Sequence, residues 1–402
     1  MTLRLPILFI LITVTLDAMG IGLIMPVMPD LIQEVSGSTI ASAAIWGGVL
    51  STVFAAMQFL FSPLLGRLSD AFGRRPVLLV SLSIMVADYI VMALAGTLGW
   101  LMFGRILGGI TAATHSTAYA YMADISDKRD KAANFGLIGA AFGLGFVLGP
   151  VLGGLLAEYG TRAPFYGAAA LAAANVLFGL FVLRETVTEA TRRPFTLSGA
   201  NPFSALRAIA KMGPAKPLLW VVFLNHLANV VYPSVWAYFT VARFGWSPGM
   251  IGVSLAVYGI SMAVVQGALI RPAIRLLGET KTIALGLGIE VIALLLVAFV
   301  PDGRLVMALI PISAIGAIGL PALQGLLSHI ARDDAQGELQ GVIASLASVS
   351  MIVGPLLMTQ AFALFTSDSA PFHLPGAPFV LSAALMFLGL VVFTTQRSRL
   401  AE

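Results

Sequence analysis

The sequence contains no cysteine in its 402 residues, and only 10% of them are charged. The lack of cysteine excludes disulfide bonds and thiolate metal sites. So few charges would not cover the surface of a soluble protein of this length, whereas helices that face lipid do not need them. The four histidines are scattered, without the spacing of a zinc-binding pair. Since no nucleophile–base or metal constellation is present either, we do not expect an enzyme.

What the sequence has instead is a series of long apolar runs, and 58% of its residues are hydrophobic. A helix of about 20 apolar residues crosses the roughly 30 Å of hydrocarbon in a bilayer. The first run is too long for the apolar core of a signal peptide. The pattern predicts an all-α membrane protein with twelve transmembrane helices, at 6–29, 43–65, 77–97, 99–123, 133–157, 164–183, 218–240, 249–270, 282–300, 304–329, 339–365 and 377–395.

Basic residues predict the orientation of these spans. Most of the 23 lysines and arginines fall in the terminal segments and in every second loop, whereas the other loops hold only Arg162, Arg243 and Arg304. Cytoplasmic loops carry an excess of such residues, so both termini are expected in the cytoplasm. The net charge of +4 is therefore a feature of membrane topology, and we expect no nucleic-acid partner.

The two halves of the chain repeat each other at an offset of about 205 residues. Three landmarks align at this offset: Gly149-Pro150 with Gly354-Pro355, Gly136 with Gly341, and Gly73 with Gly278. Two parallel six-helix repeats are the architecture of major facilitator transporters, which bind substrate near the membrane midplane. The repeat predicts two pseudo-symmetric six-helix halves at 1–184 and 217–402, joined by a cytoplasmic linker at 185–216.

The loop after the second span carries a spaced motif of glycine, acid and base. Its members are Gly66, Asp70, Gly73, Arg74 and Arg75. Glycine permits close helix contact and a tight turn, while the basic residues alone would only fix topology. The full spacing favours a conformational, gating role.

Span 5 carries Gly145, Gly149 and Gly153 at intervals of four, which places them on one helix face. Such faces let two helices approach closely. They serve static packing in one interpretation; in the other, the bend at Gly149-Pro150 takes part in rocking.

Three acids lie well inside predicted spans: Asp17, Asp88 and Glu290. A charge at mid-membrane is unfavourable by several kcal/mol, so such residues are functional candidates. The alternative is a structural ion pair, for which Arg105 is the one well-placed cation. One arginine cannot neutralise three acids, and we therefore expect at least one acid to bind a proton or a cation. Asp124, at the end of span 4, is either a helix-end charge or part of a gate.

Other polar side chains inside spans are candidates for a substrate cavity, and each is equally compatible with a structural role inside the bundle. They are Gln58, His115, His226 and Gln266. A histidine at such a position donates to substrate or relays protons. His329 and His373 lie at or beyond span ends, and we expect no role for them.

Longer motifs then resemble those of the bacterial tetracycline/H⁺ antiporters of the major facilitator superfamily, over nearly the whole chain. They are the segment from Leu16 to Pro26, the GRxSDxFGRRPVLL pattern from Gly66 to Leu79, Asp88-Tyr89, Gly104-Arg105, Gly109-Ile110-Thr111, the GPxxGG pattern from Gly149 to Gly154, Arg243 to Trp246, Pro321 to Gly325 and Gly354 to Leu357.

The resemblance implies an inner-membrane exporter that exchanges a proton for tetracycline chelated to a divalent cation such as Mg²⁺. It assigns the family's intramembrane carboxylates to Asp17, Asp88 and Glu290, the arginine of span 4 to Arg105, and the gating acid to Asp70. It implies no intrinsic cofactor, and we expect the protein to work as a monomer in the bilayer.

Several positions depart from the family pattern: Glu290 stands where aspartate is usual, Met262 where histidine is common, His115 in place of glycine and His226 in place of glutamine. These changes predict a cavity with a broader and weaker drug profile. Two alternatives stay open: an exporter of another amphipathic drug or metabolite, and a non-transporting membrane receptor or scaffold.

Overall fold

A computed structural model describes residues 5–112, 114–127, 130–189, 192–195, 201, 203, 209, 212–330 and 335–400. All regular secondary structure in these residues is helical. The helices are α1 (Leu5–Ile24), α2 (Met28–Ser36), α3 (Ile40–Phe72), α4 (Arg74–Leu94), α5 (Leu98–Ala112), α6 (Thr114–Ile125), α7 (Lys131–Ala157), α8 (Ala163–Val182), α9 (Lys216–Asn229), α10 (Val231–Phe244), α11 (Pro248–Val264), α12 (Ile270–Leu277), α13 (Glu279–Phe299), α14 (Gly303–Gly316), α15 (Gly319–Ile330), α16 (Gln336–Thr366) and α17 (Ala377–Leu400). A 3₁₀ turn, Gly213–Ala215, precedes α9, and a π-helical turn, Val265–Leu269, joins α11 to α12.

Eleven segments in the described residues are long and apolar enough to cross a membrane. They correspond to the predicted spans except span 4: its predicted range, 99–123, includes residue 113, which lies outside the described residues, and α5 and α6 are the helical parts on either side of it. The first span is shorter than predicted: α1 ends at Ile24, and the separate helix α2 follows a turn. Pro26 lies in that turn and Pro29 in the first turn of α2, where its missing N–H is tolerated.

The turns after the second and eighth spans have a similar backbone conformation as well as a similar sequence. Gly73 has φ 109° and Gly278 has φ 78°, values that residues with a side chain rarely adopt. Each glycine directly precedes the next long helix, α4 or α13. The offset of about 205 residues therefore marks two equivalent turns.

The described chain divides by packing into two compact units. Unit 1 comprises Met1–Ser38, Val53–Pro202 and Ser247–Ala256, and unit 2 comprises Thr39–Thr52, Phe203–Trp246 and Val257–Glu402. These units follow the predicted halves except that residues 39–52 and 247–256 pack with the opposite one. The predicted domain boundaries divide the chain by position in the sequence, which a grouping by packing does not test. They therefore stay a prediction.

Each unit has its own helix pairs. In unit 1, α1 packs along α7, and α4 lies between α8 and α5. Apolar residues of α1, α4 and α6 form its core, among them Phe9, Ile10, Leu82, Tyr121 and Met122. In unit 2, α13 packs against α17, α14 and α15, and α9 packs against α16 and α17.

Candidate functional site

The buried acid of α4 lies against the backbone of α5. Asp88 is 2% exposed, and a Cβ added at Gly104 or Gly108 would lie 2.9 Å or 2.5 Å from its carboxylate oxygens. The two glycines are one helical turn apart, so they form a small-residue face that admits the carboxyl group. Asp88 Oδ2 is 3.8 Å from Nη2 of Arg105, which directly follows Gly104 on α5. The structural ion pair with Arg105, which was the alternative interpretation for one of the three acids, is therefore present at Asp88, with a long separation.

Aromatic rings complete the surroundings of this pair. The guanidinium carbon of Arg105 lies 5.3 Å from the centre of the Phe54 ring, within the range of a cation–π contact. Tyr89 is buried and interacts electrostatically with Asp17, Asp88 and Arg105. Asp17 is itself buried, on α1. Unit 1 thus brings the three predicted residues Asp17, Asp88 and Arg105 around one tyrosine.

The third predicted acid, Glu290, lies on α13 in unit 2 and has different neighbours. Asn225 Nδ2 donates to its Oε2 at 3.2 Å, and Asn229 also donates to the carboxylate. Tyr232 and Tyr258 lie close by and stack at 5.4 Å between ring centres. No described residue forms an ion pair with Glu290, whose described hydrogen-bond partners are neutral amides. A proton or a cationic ligand would neutralise it.

Glycine residues also allow close packing around Glu290. A Cβ at Gly316, the last residue of α14, would lie 2.4 Å from Cγ of Glu290. Gly286, one helical turn before Glu290 on α13, approaches the backbone of Gly319 in the same way. The α13 helix therefore passes close to the interruption between α14 and α15. Interrupted helices at membrane depth are common at transporter binding sites.

Sequence reasoning did not identify the partners of Glu290. Asn225 and Asn229 are four residues apart on α9, so both point to one face of that helix. Two amides with this spacing in an apolar span were a readable signal. Tyr232 and Tyr258 carried no such signal, because aromatic residues are frequent in every span.

The predicted cavity residues have mixed placements. Gln58 Nε2 donates to the carbonyl of Ala112 at 3.4 Å, which is a helix-to-helix bond. His226 is half-buried beside Asn225 on α9. Met262 packs against the apolar cluster of Val265, Ala314 and Ile318. Gln266 is exposed, in the π-helical turn, and the side chain of His115 is outside the described residues. These residues do not form one described cluster.

The loop motif forms a charged cluster in unit 1. Arg74 Nη1 lies 2.6 Å from Asp70 and its Nε lies 3.2 Å from Asp124, so one arginine joins the ends of α3 and α6. Gly66 contributes no close contact to it, since a Cβ there would come no nearer than 3.9 Å to Ser116. The predicted gating acids Asp70 and Asp124 thus share Arg74.

Glu185 completes this cluster, although no sequence motif singled it out. Its Oε1 accepts from the backbone N–H of Arg74 at 2.9 Å, and its Oε2 accepts from that of Arg75 at 3.2 Å. The carboxylate therefore caps the N-terminus of α4, where negative charge is favourable. Gly73 is the residue that allows this approach, because a Cβ there would lie 2.3 Å from Glu185.

The glycine face of span 5 packs as predicted against another helix. Gly145, Gly149 and Gly153 on α7 each lie against backbone carbonyls of α1, at Thr15, Met19 and Leu23. The carbonyl of Pro150 points to Gly252 at the start of α11, where a Cβ would lie 2.2 Å away. The Gly149-Pro150 step is therefore in close contact with α1 and with the first part of α11, which belongs to unit 1.

No group of three or more acids and histidines in the described part of the chain is arranged to hold a metal ion.

Comparisons with known proteins place this geometry in a family. A model described as Major Facilitator Superfamily matches residues 10–241 and 218–401. The chain is 43% identical to the class C tetracycline resistance protein of Escherichia coli, covering 95% of this chain and 94% of that protein. It is 38% identical to the class B protein of Escherichia coli, covering 90% and 88%. The structure of the nucleoside transporter NupG has a TM-score of 0.76 at 14% identity, covering 97% of this chain and 99% of that one, and shows the same fold.

Proposed function

Because the chain belongs to the tetracycline resistance proteins of the major facilitator superfamily, we propose that it is a proton-coupled drug exporter of the bacterial inner membrane. Both termini lie in the cytoplasm, on the side that carries most of the basic residues. The proposed substrates are tetracycline-type drugs, carried as chelates with a divalent cation that travels as cargo. The names of the relatives support this substrate class.

One observation carries the coupling mechanism: Glu290 is held within its unit by two neutral amides. A carboxylate without a partner cation is unfavourable in an apolar surrounding, so a bound cation or a proton stabilises it. Proton and cationic drug chelate therefore compete for the same group. Export follows when the drug leaves one side of the membrane and a proton replaces it from the other.

Asp88 and Arg105 have a different proposed role. Their mutual attraction partly neutralises both charges, so the pair is less available to a ligand than Glu290 is. A cation that approaches Asp88 has to displace Arg105 first. We assign this pair, with Asp17 nearby, to positioning and charge balance in unit 1.

The cluster around Arg74 supplies the gate in this proposal. Its ion pairs and the Glu185 cap join the ends of α3, α4 and α6 and the segment after α8. Contacts of this kind stabilise one of two conformations, and their loss alters the rate of exchange without touching the drug.

The test is transport in proteoliposomes with an imposed proton gradient. We expect wild-type protein to accumulate Mg²⁺–tetracycline against its concentration gradient and to move protons in the opposite direction. Glu290→Gln keeps side-chain size and hydrogen bonding but cannot exchange a proton, so uphill accumulation should be lost.

Glu338→Gln is the matched control, since Glu338 is exposed in the first turn of α16. It should transport like the wild type. Uphill transport by Glu290→Gln at the wild-type rate would contradict the coupling role. If a non-chelating aromatic cation were exported and tetracycline were not, the substrate would be another amphipathic drug. Absence of any drug-dependent proton flux would favour a receptor or scaffold.

A further inference from the structure

Two apolar grooves run along α4 on the outer surface of unit 1. The first has a volume of about 390 Å³ and lies between α4 and α8, lined by Leu79, Val80, Ser83, Ile84, Ala87, Val176 and Leu180. The second has a volume of about 230 Å³ and is lined by residues of α3, α4 and α5, including Leu65, Phe72, Pro76 and Ile110. Val80 and Ile84 line both grooves, so they form a ridge with one groove on either side.

Two arginines stand at one end of this ridge. Arg75 lies one helical turn before Leu79 on α4, and its Nη2 donates to the carbonyl of Leu180 at 3.1 Å. Arg184 follows Leu180 by four residues, just beyond the end of α8. Neither forms an ion pair with a carboxylate of the described residues. Arg75 is partly exposed and Arg184 is exposed.

We propose that this surface binds an anionic diacyl phospholipid, with one acyl chain in each groove and the phosphate at Arg75 and Arg184. The paired grooves on one ridge match a ligand with two chains. The basic residues at a single end match a ligand with one anionic head. Basic pockets between helices at the cytoplasmic membrane surface bind such headgroups, and the predicted orientation puts this end on that surface. The site is separate from Glu290 and independent of the drug.

The test is native mass spectrometry of the purified full-length protein with an equimolar mixture of phosphatidylglycerol and phosphatidylethanolamine of identical acyl chains. We expect the wild type to retain phosphatidylglycerol preferentially, and that preference to fall as ionic strength rises. Replacing the two cations in Arg75→Gln/Arg184→Gln should lower the ratio of the two lipids by about fivefold for each arginine. Arg271→Gln/Arg275→Gln removes two exposed arginines of unit 2 and should leave the ratio unchanged.

A second variant tests whether the groove between α4 and α8 binds an acyl chain, without altering charge. Ser83 is exposed on the groove between α4 and α8, so Ser83→Phe fills that groove and should reduce retention of both lipids. If Arg75→Gln/Arg184→Gln does not fold, Arg184→Gln and the salt dependence of the wild type still decide the charge requirement. An unchanged lipid ratio in the arginine variants, or the same fall in the unit 2 control, would overturn the site. Full retention by Ser83→Phe, or displacement of phosphatidylglycerol by equimolar oleate, would overturn the two-chain assignment.

Discussion

The two units each pack a carboxyl group against glycine residues, but they surround it differently. In unit 1, Asp88 faces Arg105 at 3.8 Å. In unit 2, Glu290 accepts hydrogen bonds from Asn225 and Asn229. Arg105 partly balances the negative charge of Asp88. The amides of Asn225 and Asn229 orient Glu290 but do not balance its charge, which a proton or a cationic ligand would do. Position inside a span therefore identifies both acids as candidates, and their partners distinguish their roles.

The largest expected effect comes from breaking the pair in unit 1. Asp88→Asn leaves the cation of Arg105, whose side chain is 13% exposed, without its partner. Removing one partner of a buried pair typically costs about 3–5 kcal/mol. We expect about 3 kcal/mol, the lower end, because the separation is long. Glu290→Gln should change stability by no more than about 1.5 kcal/mol, since the amide still accepts from Asn225 and Asn229. Thermal and denaturant unfolding in detergent measures both.

The double variant Asp88→Asn/Arg105→Gln makes this comparison sharper. Removing both charges should restore much of the stability that Asp88→Asn loses, because no unpaired cation remains. Additive losses in the double variant would mean that the two side chains are not coupled. An equal loss for Glu290→Gln and Asp88→Asn would remove the proposed difference between the units.

The next effect concerns the glycines that admit Asp88. Gly108→Ala places a methyl group 2.5 Å from Oδ2 of Asp88, which is buried and has little freedom to move. Overpacking of this kind costs roughly 1–3 kcal/mol. The matched control is Gly143→Ala on α7, where no atom lies within 4 Å. That substitution should stabilise its helix by up to about 1 kcal/mol, as unfolding measurements on both variants would show. A neutral Gly108→Ala would indicate that Asp88 does not rest on α5.

Much of the fold was predictable because lipid-facing helices need long apolar runs and few charges. The Gly-Pro and glycine landmarks also predicted the repeated turns at Gly73 and Gly278. The π-helical turn at Val265–Leu269 was not predictable, because a run of small and apolar residues fits either helical geometry.

The candidate site shows the same limit. Rare acids in apolar spans are visible in one sequence, so Asp17, Asp88 and Glu290 were found. The partners of these acids depend on how the helices pack. The sequence alone does not show which of the three acids lies next to Arg105. Glu185 was missed because it lies in a polar segment that was interpreted as a plain linker. Only packing shows that it caps α4.

A smaller effect is expected at the proposed gate, the cluster around Arg74. Asp70→Asn removes one ion pair of Arg74, which keeps Asp124 and a hydrogen bond to Ser69. We expect drug exchange to slow several-fold while drug affinity stays the same, because the cluster biases conformations and lies away from the buried acids. Binding titrations and exchange rates on the same preparation separate the two quantities. Lower affinity with a normal exchange rate would contradict the assignment of Asp70 to the gate.

The smallest effect is expected at the counterpart of this proposed gate in unit 2, where acidic and basic residues exchange places. At the offset of about 205 residues, Asp70, Arg74 and Asp124 correspond to Arg275, Glu279 and His329.

His329 was expected to have no role, yet its Nδ1 lies 3.4 Å from Glu279. The histidine side chain is 72% exposed, whereas the Arg74 side chain in unit 1 is only 12% exposed. Exposed pairs contribute between zero and about 1 kcal/mol and are screened by salt. His329→Asn should therefore shift stability and exchange rate less than Asp124→Asn does, and 0.5 M salt should remove its effect. Unfolding and exchange measured on these two variants in low and high salt test the contrast. A larger, salt-insensitive effect for His329→Asn would show that unit 2 carries a gate of its own, equal in weight to the cluster around Arg74.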